Sequence, residues 1–146
     1  MNTGIIQIQQ LHPDAVIPKY GSAGSAGFDL VATEDVTIEK GTTALIPLGF
    51  AAAIPEGHYV RIESRSGMAI KGLVVLTGVI DSDYRGEWKV ILHNLCASPG
   101  NAYRIAKGDR VAQGVLRPYT RAAWDTVSAL EDTHRGAGGF GSTGTR

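Results

Sequence analysis

The chain has 146 residues, of which 43% are hydrophobic, and its 14 basic residues balance 14 acidic ones. These values describe one domain with a real core, and the zero net charge argues against a broad basic face for long nucleic acid. The single Cys96 excludes an internal disulfide and a cysteine-based metal cluster, which suits a reducing cytosol. The amino-terminal stretch has neither a basic segment nor a long apolar one, so we expect a cytoplasmic protein that does not enter membranes.

Short strands separated by turn residues predict an all-β sandwich or barrel. The predicted strands are Ile5–Gln9, Val36–Glu39, Thr43–Ile54, His58–Glu63, Leu73–Thr77, Glu87–Leu95 and Asp109–Leu116. One short helix is predicted at Ser66–Lys71. We predict a single β domain over residues 1–132, which ends in a connecting arm, and a flexible glycine-rich lid over residues 133–146.

The first motif that carries chemistry is the glycine-rich loop Gly21–Leu30, which enters a strand at Phe28. Its Asp29 carboxylate suits a Mg²⁺ ion that is held through water while it also sits on phosphates. An ordinary loop aspartate is the alternative interpretation.

The second motif, Ser64–Ala69, opens the predicted helix. A helix amino terminus with free amides, the Ser66 hydroxyl and the Arg65 guanidinium beside it binds phosphate well. For this short motif alone, a helix-capping serine and a surface arginine are the simpler interpretation.

The third motif, Gly78–Glu87, forms a tight turn between two strands. Asp81 follows the apolar strand Leu73–Ile80, so we expect it at the edge of a pocket, where a carboxylate orients and deprotonates water. Asp83 is interpreted as a structural turn residue. Tyr84 offers a flat face to a sugar and a bulk that rejects an extra hydroxyl, and a core tyrosine is its alternative.

A fourth motif, Lys107–Gln113, is a turn that enters a strand. We expect Asp109 and Arg110 to form a structural ion pair and Gln113 to donate to phosphate.

The fifth motif is the carboxyl-terminal tail Arg135–Arg146, which has five glycines and only one large apolar side chain, Phe140. Such a segment cannot bury enough apolar surface to order itself. It still offers glycine amides, hydroxyls and a guanidinium to an anion, which favours a lid over a nucleotide polyphosphate. A disordered tail is the alternative.

Together the five motifs resemble the trimeric dUTPase family, the dUTP nucleotidohydrolases, from Pro18 to Thr145. The most specific part is Gly-Val-Ile-Asp-Ser-Asp-Tyr-Arg-Gly followed by the terminal Arg-Gly-x-Gly-Gly-Phe-Gly-Ser-Thr-Gly. The resemblance implies a jelly-roll homotrimer that converts dUTP to dUMP and pyrophosphate with Mg²⁺. That reaction keeps uracil out of DNA and supplies dUMP for thymidylate synthesis. Each site would combine the phosphate-binding segments of one subunit, the hairpin of a second and the tail of the third.

The resemblance also implies a role for each motif residue. Asp81 would activate the water that attacks the α-phosphorus, Tyr84 would pack on deoxyribose, and the backbone at Gly78 would pair with uracil. Phosphate would be bound by Arg65, Ser66, Gly67 and Gln113, and hydrated Mg²⁺ would be held by Asp29. The tail would close on the nucleotide through Arg135, Gly141, Ser142 and Thr143, with Phe140 over the uracil.

Several positions depart from the family pattern. Ser25 stands where alanine is common, Ser64 where proline often precedes the arginine, and His134 where an acid is frequent. No catalytic group is lost, but the docking of the tail and the affinity for nucleotide stay open.

Three other functions remain as alternatives. A dCTP deaminase has a similar fold, but its general base would fall at Ile91, which cannot take a proton. A nucleotide-responsive regulatory protein does not need Asp81, although Asp81 does not exclude such a second role. A purely structural trimer has no use for an acid, two anion loops and a phosphate-binding tail.

Overall fold

The computed structural model describes residues 4–95 and 101–144, so Cys96 lies outside the described part of the chain. Within these ranges the chain forms eleven strands and one short helix, which confirms the predicted all-β class. In chain order they are β1 Gln7–Gln10, β2 Lys19–Tyr20, β3 Phe28–Val31, β4 Val36–Ile38, β5 Thr43–Ala53, β6 His58–Glu63, α1 Ser66–Ala69, β7 Leu73–Val75, β8 Val79–Ile80, β9 Glu87–Asn94, β10 Tyr103–Ile105 and β11 Arg110–Pro118. No described helix is long and apolar enough to cross a membrane.

Two antiparallel sheets and one small strand pair make up the fold. The first sheet has the order β1-β5-β9-β7, the second has the order β2-β3-β11-β6-β8, and β4 pairs with β10. Most neighbours in each sheet are distant in sequence, so the chain crosses repeatedly between the sheets, as in a jelly roll. The predicted jelly-roll-like sandwich is therefore confirmed.

The core forms because alternate residues of the long strands face inward. In β9, Trp88, Val90, Leu92 and Asn94 are buried while the residues between them are not, which is the period of two expected for a strand. Trp88 packs on Phe50 of β5 with ring centroids 5.3 Å apart. The buried Asn94 amide donates to the carbonyl of Ile38 at 3.0 Å, so this polar group does not lose its hydrogen bond on burial.

Most predicted elements are observed within one or two residues, and β6 is observed with the predicted bounds. The predicted continuous strand Leu73–Ile80 is wrong. It divides into β7 and β8, which lie in different sheets. The division occurs around Gly78, whose carbonyl accepts the Ile62 amide at 2.6 Å and draws the chain onto β6. After Pro118 the described chain forms no further strand or helix.

We expect Gly114→Ala to destabilise the fold, because a Cβ at Gly114 would clash with the Phe28 ring. Overpacking of this kind costs about 1–3 kcal/mol. Gly24→Ala is the matched control, since nothing lies within 4 Å of a Cβ built there. Urea denaturation should place the midpoint of the Gly114 variant well below that of the control. Equal midpoints would contradict this account of the packing.

Candidate active site

A row of polar side chains crosses three strands at one end of the second sheet. Gln113 of β11 lies opposite Asp29 of β3 on one side and opposite Glu63 of β6 on the other. Residues directly opposite in an antiparallel pair point to the same face, so the three side chains share one surface. They line an open cavity of about 580 Å³, together with the glycine-rich loop and the start of α1.

Arg65 is held at this cavity by two partners. Its Nε lies 3.1 Å from Oδ1 of Asp29, and its Nη1 donates to the Arg110 carbonyl at 3.1 Å. The other oxygen of Asp29 lies 3.5 Å from Nη1 of Arg110. Asp29 thus orients two guanidinium groups at once, and this restricts their rotamers before any anion arrives.

The predicted ion pair between Asp109 and Arg110 is wrong. The Asp109 carboxylate accepts the Ala106 amide at 2.9 Å and closes the turn before β11. Arg110 instead reaches Asp29, because the pairing of β11 with β3 brings the two side chains together. The cavity also contains an ion pair between Arg117 and Glu63. Three arginines therefore face two carboxylates, and the described lining has a small positive surplus.

The helix start supplies amides to the same cavity. Arg65 has extended backbone at the N-cap position and makes no side-chain capping bond. Ser66 is therefore the first helical residue and not the capping serine of the alternative interpretation. Amides in the first turn have no intrahelical acceptor, so those of Ser66 and Gly67 are available to an anion. Both residues line the cavity.

Asp81 lies in a different place, at the end of β8. It lines a cavity of about 260 Å³ with Tyr84, Lys89 and Ile91, which we call the narrow cavity because it has less than half the volume of the one at Asp29, and it also borders a depression of about 600 Å³ beside Tyr59. The turn that follows it is closed by a hydrogen bond from the Tyr84 amide to the Asp81 carbonyl at 3.2 Å. Asp81 is thus fixed by backbone geometry at the rim of the narrow cavity.

Tyr84 is 44% exposed, so it is not the core tyrosine of the alternative interpretation. Its hydroxyl donates to the Glu87 carbonyl at 3.1 Å, and its ring lies where a side chain on Gly86 would clash. Nη1 of Arg85 donates to the Ser82 and Tyr84 carbonyls at 2.7 and 3.1 Å. The hairpin therefore presents the Tyr84 ring on a rigid turn.

The two arms of this hairpin diverge because they belong to different sheets. The described part of β8 pairs only with β6, whereas β7 pairs with β9 only over Leu92–Asn94. Val79 and Ile80 of β8 and Glu87, Lys89 and Ile91 of β9 thus border the narrow cavity without a ladder between the two strands. Gly78 precedes this gap and has a packing role, since a Cβ there would lie 2.5 Å from the Ile62 carbonyl oxygen.

The structure does not bring Asp81 to the residues that were predicted to bind phosphate. Val60 pairs with Ile80, so Asp81 lies beside Tyr59 near the start of β6, while Arg65 follows its end. The six residue steps from Tyr59 to Arg65 span at most about 20 Å at 3.3 Å per residue, and the cavities at Asp29 and Asp81 share no lining residue. Arg65, Ser66, Gly67, Gln113 and Asp29 are brought together in one cavity, and Asp81 and Tyr84 in another.

The tail residues lie at neither cavity. Nε of Arg135 donates to the Gly138 carbonyl at 2.8 Å, and the amide of Ser142 donates to the Gly139 carbonyl at 3.0 Å, so the tail bonds to itself. Phe140 is fully exposed. Gly141 and Thr143 are also described, but no described residue beyond Arg121 lines the cavities that hold Asp29 or Asp81.

Several site residues were not anticipated from sequence. Glu63, Arg110 and Arg117 line the cavity at Asp29, which we call the anion cavity after the ligand predicted for it, and Leu45 and Lys89 line the narrow one. Arg110 belongs to a motif that was singled out, but its acidic neighbour Asp109 suggested a local partner. Arg117 and Glu63 lie on strands whose alternation was recognised, and only the register between β6 and β11 puts them at the site.

We expect Arg65→Lys to weaken binding of tripolyphosphate about tenfold, because lysine keeps the charge but cannot bridge Asp29 and the Arg110 carbonyl. Arg61→Lys is the control, since Arg61 is exposed on β6, the strand that precedes Arg65, and lies outside the cavity. Isothermal titration of both variants measures the difference. An equal effect of the two substitutions would contradict the assignment.

The dUTPase family model matches residues 14–144. A relative from Wolinella succinogenes, named deoxyuridine 5'-triphosphate nucleotidohydrolase, is 51% identical over 95% of this chain and 93% of its own length. A second relative of the same name, from Helicobacter pylori strain P12, is 43% identical over 95% of this chain and 96% of its own length.

Solved structures show the same likeness in three dimensions. The dUTPase of Staphylococcus bacteriophage 80alpha with dUpNHpp is 30% identical, covers 97% of this chain and 99% of its own, and has a TM-score of 0.89. A mutant dUTPase of phage phi11 of S. aureus, described with a structural Mg(II) ion, is 29% identical and has a TM-score of 0.80. The match covers 88% of this chain and 99% of the phage chain. The chain therefore belongs to the dUTPase family.

Proposed function

We propose that this protein hydrolyses dUTP to dUMP and pyrophosphate, and that Asp81 is its general base. The observation that carries the proposal is the position of Asp81 at the rim of a narrow cavity that also contains the Tyr84 ring. Its relatives are named for this activity, and phage relatives bind the analogue dUpNHpp. In a cell the reaction would keep uracil out of DNA and supply dUMP for thymidylate synthesis.

The narrow cavity suits a planar base that hydrogen bonds through its edge. Uracil carries alternating acceptors and a donor on that edge, and backbone groups of β8 and β9, which have no ladder between them, would offer the complementary partners. The Tyr84 ring lies at the same cavity and would pack against deoxyribose, where a ribose hydroxyl would meet it. Gly78 allows the chain to run close to β6 and so shapes this gap.

The chemical step needs an oriented water beside the α-phosphorus. The Asp81 carboxylate would take a proton from that water as its oxygen bonds to phosphorus, and the bond from phosphorus to the bridging oxygen would break to release pyrophosphate. Such positioning, together with charge neutralisation, accounts for most phosphoryl-transfer catalysis. The deaminase alternative has no support here, because Ile91 lines the cavity with an apolar side chain.

The phosphates would occupy the anion cavity of Arg65, Ser66, Gly67 and Gln113. This cavity shares no lining residue with those at Asp81, and Arg65 and Asp81 lie toward opposite ends of β6 in the same chain. We infer that the hairpin of a second copy supplies Asp81 and Tyr84, as in the homotrimer that the sequence motifs imply.

The donor set of the anion cavity fits Mg²⁺ that arrives with the triphosphate. No described group of three or more His, Cys, Asp or Glu side chains is available to hold a metal alone. Asp29 is already engaged by two arginines, so we propose that it holds the ion through water. When bound, Mg²⁺ supplies further neutralisation of the phosphate charge.

We further propose that the tail closes over the bound nucleotide of another subunit. Arg135, Ser142, Thr143 and the amide of Gly141 would meet the γ-phosphate, and the exposed Phe140 ring would cover the uracil. Ordering of the tail would then depend on the triphosphate and not on the contacts within its own chain.

We expect Asp81→Asn to lower turnover by about 10²–10⁴-fold, the usual contribution of a general base, and to preserve binding of a non-hydrolysable dUTP analogue. Asp83→Asn is the matched control in the same turn and should retain most of the turnover. Steady-state release of pyrophosphate and titration of the analogue give the two quantities. Near-normal turnover of the Asp81 variant would remove this residue from the mechanism.

A chain truncated after Thr133 should lose most activity and regain part of it when its subunits exchange with the Asp81→Asn chain. Mixed trimers contain sites that combine an intact hairpin from one chain with an intact tail from the other. Light scattering should give a trimer for each protein, and mass spectrometry of mixed oligomers should verify exchange. Absence of rescue after verified exchange, or full activity of the truncated chain, would contradict the shared site.

A further inference from the structure

Ser64 connects two strands of different sheets immediately before the phosphate-binding turn. Its Oγ accepts the amide hydrogen of Val75 in β7 at 2.8 Å, and its carbonyl accepts Nε2 of Gln113 in β11 at 3.1 Å. The next residue in the chain is Arg65. One residue thus ties the turn to the edge of the first sheet and to the centre of the second.

The bond to Gln113 fixes the direction of an amide that lines the anion cavity. A Cβ on Gly27 would lie 2.5 Å from Oε1 of Gln113, so the amide is confined between the glycine loop and Ser64. An amide nitrogen carries two hydrogens, and the Ser64 carbonyl takes one of them. The second is left for a ligand in the cavity.

Proline often occupies this position in the family pattern. It has no hydroxyl, so it cannot make the bond to Val75. Val75 pairs with Leu92 on one side of β7, and the Ser64 hydroxyl serves its amide on the other. Removal of the hydroxyl would leave a half-buried amide without its acceptor and would release the turn from β7.

We propose that Ser64 is a positioning residue for the β- and γ-phosphates of the substrate. Its hydroxyl holds the turn Arg65–Gly67 against β7, and its carbonyl aims the Gln113 amide into the anion cavity. The inference rests on the proposed function for the identity of the substrate, but the contacts concern any polyphosphate in this cavity. It assigns a role to a position where the chain departs from the pattern of its family.

The test compares Ser64→Ala with Ser64→Thr, which keeps a hydroxyl acceptor. We expect the alanine variant to bind tripolyphosphate and a non-hydrolysable dUTP analogue about tenfold more weakly, the effect of losing one hydrogen bond and leaving its donor unpaired. Binding of dUMP should change less than about twofold, since dUMP lacks the outer phosphates, and the KM for dUTP should rise more than kcat falls. The threonine variant should bind tripolyphosphate and the analogue, and should turn over dUTP, as the unaltered protein does.

Thr33→Val is the matched control for a general loss of stability. Thr33 is buried and does not line the anion cavity. Its Oγ1 donates to the Pro47 carbonyl at 3.1 Å. If both variants lower the melting temperature and neither alters tripolyphosphate binding, Ser64 is only structural and the proposal fails. Equal weakening of dUMP and tripolyphosphate would also overturn it. Failure of the unaltered protein to hydrolyse dUTP contradicts the proposed function instead, and the tripolyphosphate titration still tests Ser64.

Discussion

The pairing of β6 with β11 on one side and with β8 on the other places both halves of the site. The pairing with β11 aligns Glu63 with Gln113, and the pairing with β8 puts Asp81 beside the opposite end of the strand. A strand is stiff along its length, so side-chain rotation does not bring together residues at its two ends. The proposed need for a second subunit therefore follows from one strand and its register.

In the anion cavity, a lower net positive charge accompanies a better ordered set of arginine side chains. A site of arginines alone would attract phosphate more strongly, but its long side chains would lose more rotamer freedom on binding. Asp29 lowers the net charge and in return holds Arg65 and Arg110 in place. The small positive surplus that remains cannot neutralise a triphosphate, and this explains in physical terms why we propose that Mg²⁺ accompanies the substrate.

Local patterns predicted those features that depend on neighbours in sequence. Alternation located β6, and glycine loops with adjacent polar residues located the anion cavity. Two errors have a common cause in long-range pairing. The apolar run Leu73–Ile80 contains no signal that the chain changes sheets, and the partner of Arg110 is set by the approach of β3 and not by the neighbouring Asp109. The separation of Asp81 from Arg65 likewise depends on register, which the sequence pattern does not give.

At four positions in the motifs, glycine is needed for two different physical reasons. Gly78 is required inside this chain, because a Cβ there would meet the Ile62 backbone, and a Cβ on Gly27 would displace the Gln113 side chain. A Cβ at Gly139 or Gly141 of the tail would meet nothing within 4 Å, although Gly141 has a left-handed φ of +88°. Contacts within the described chain thus explain Gly27 and Gly78 but not those two. For the tail glycines, the proposed closure over a nucleotide supplies the missing cause, since close approach of backbone amides to phosphate also excludes a side chain.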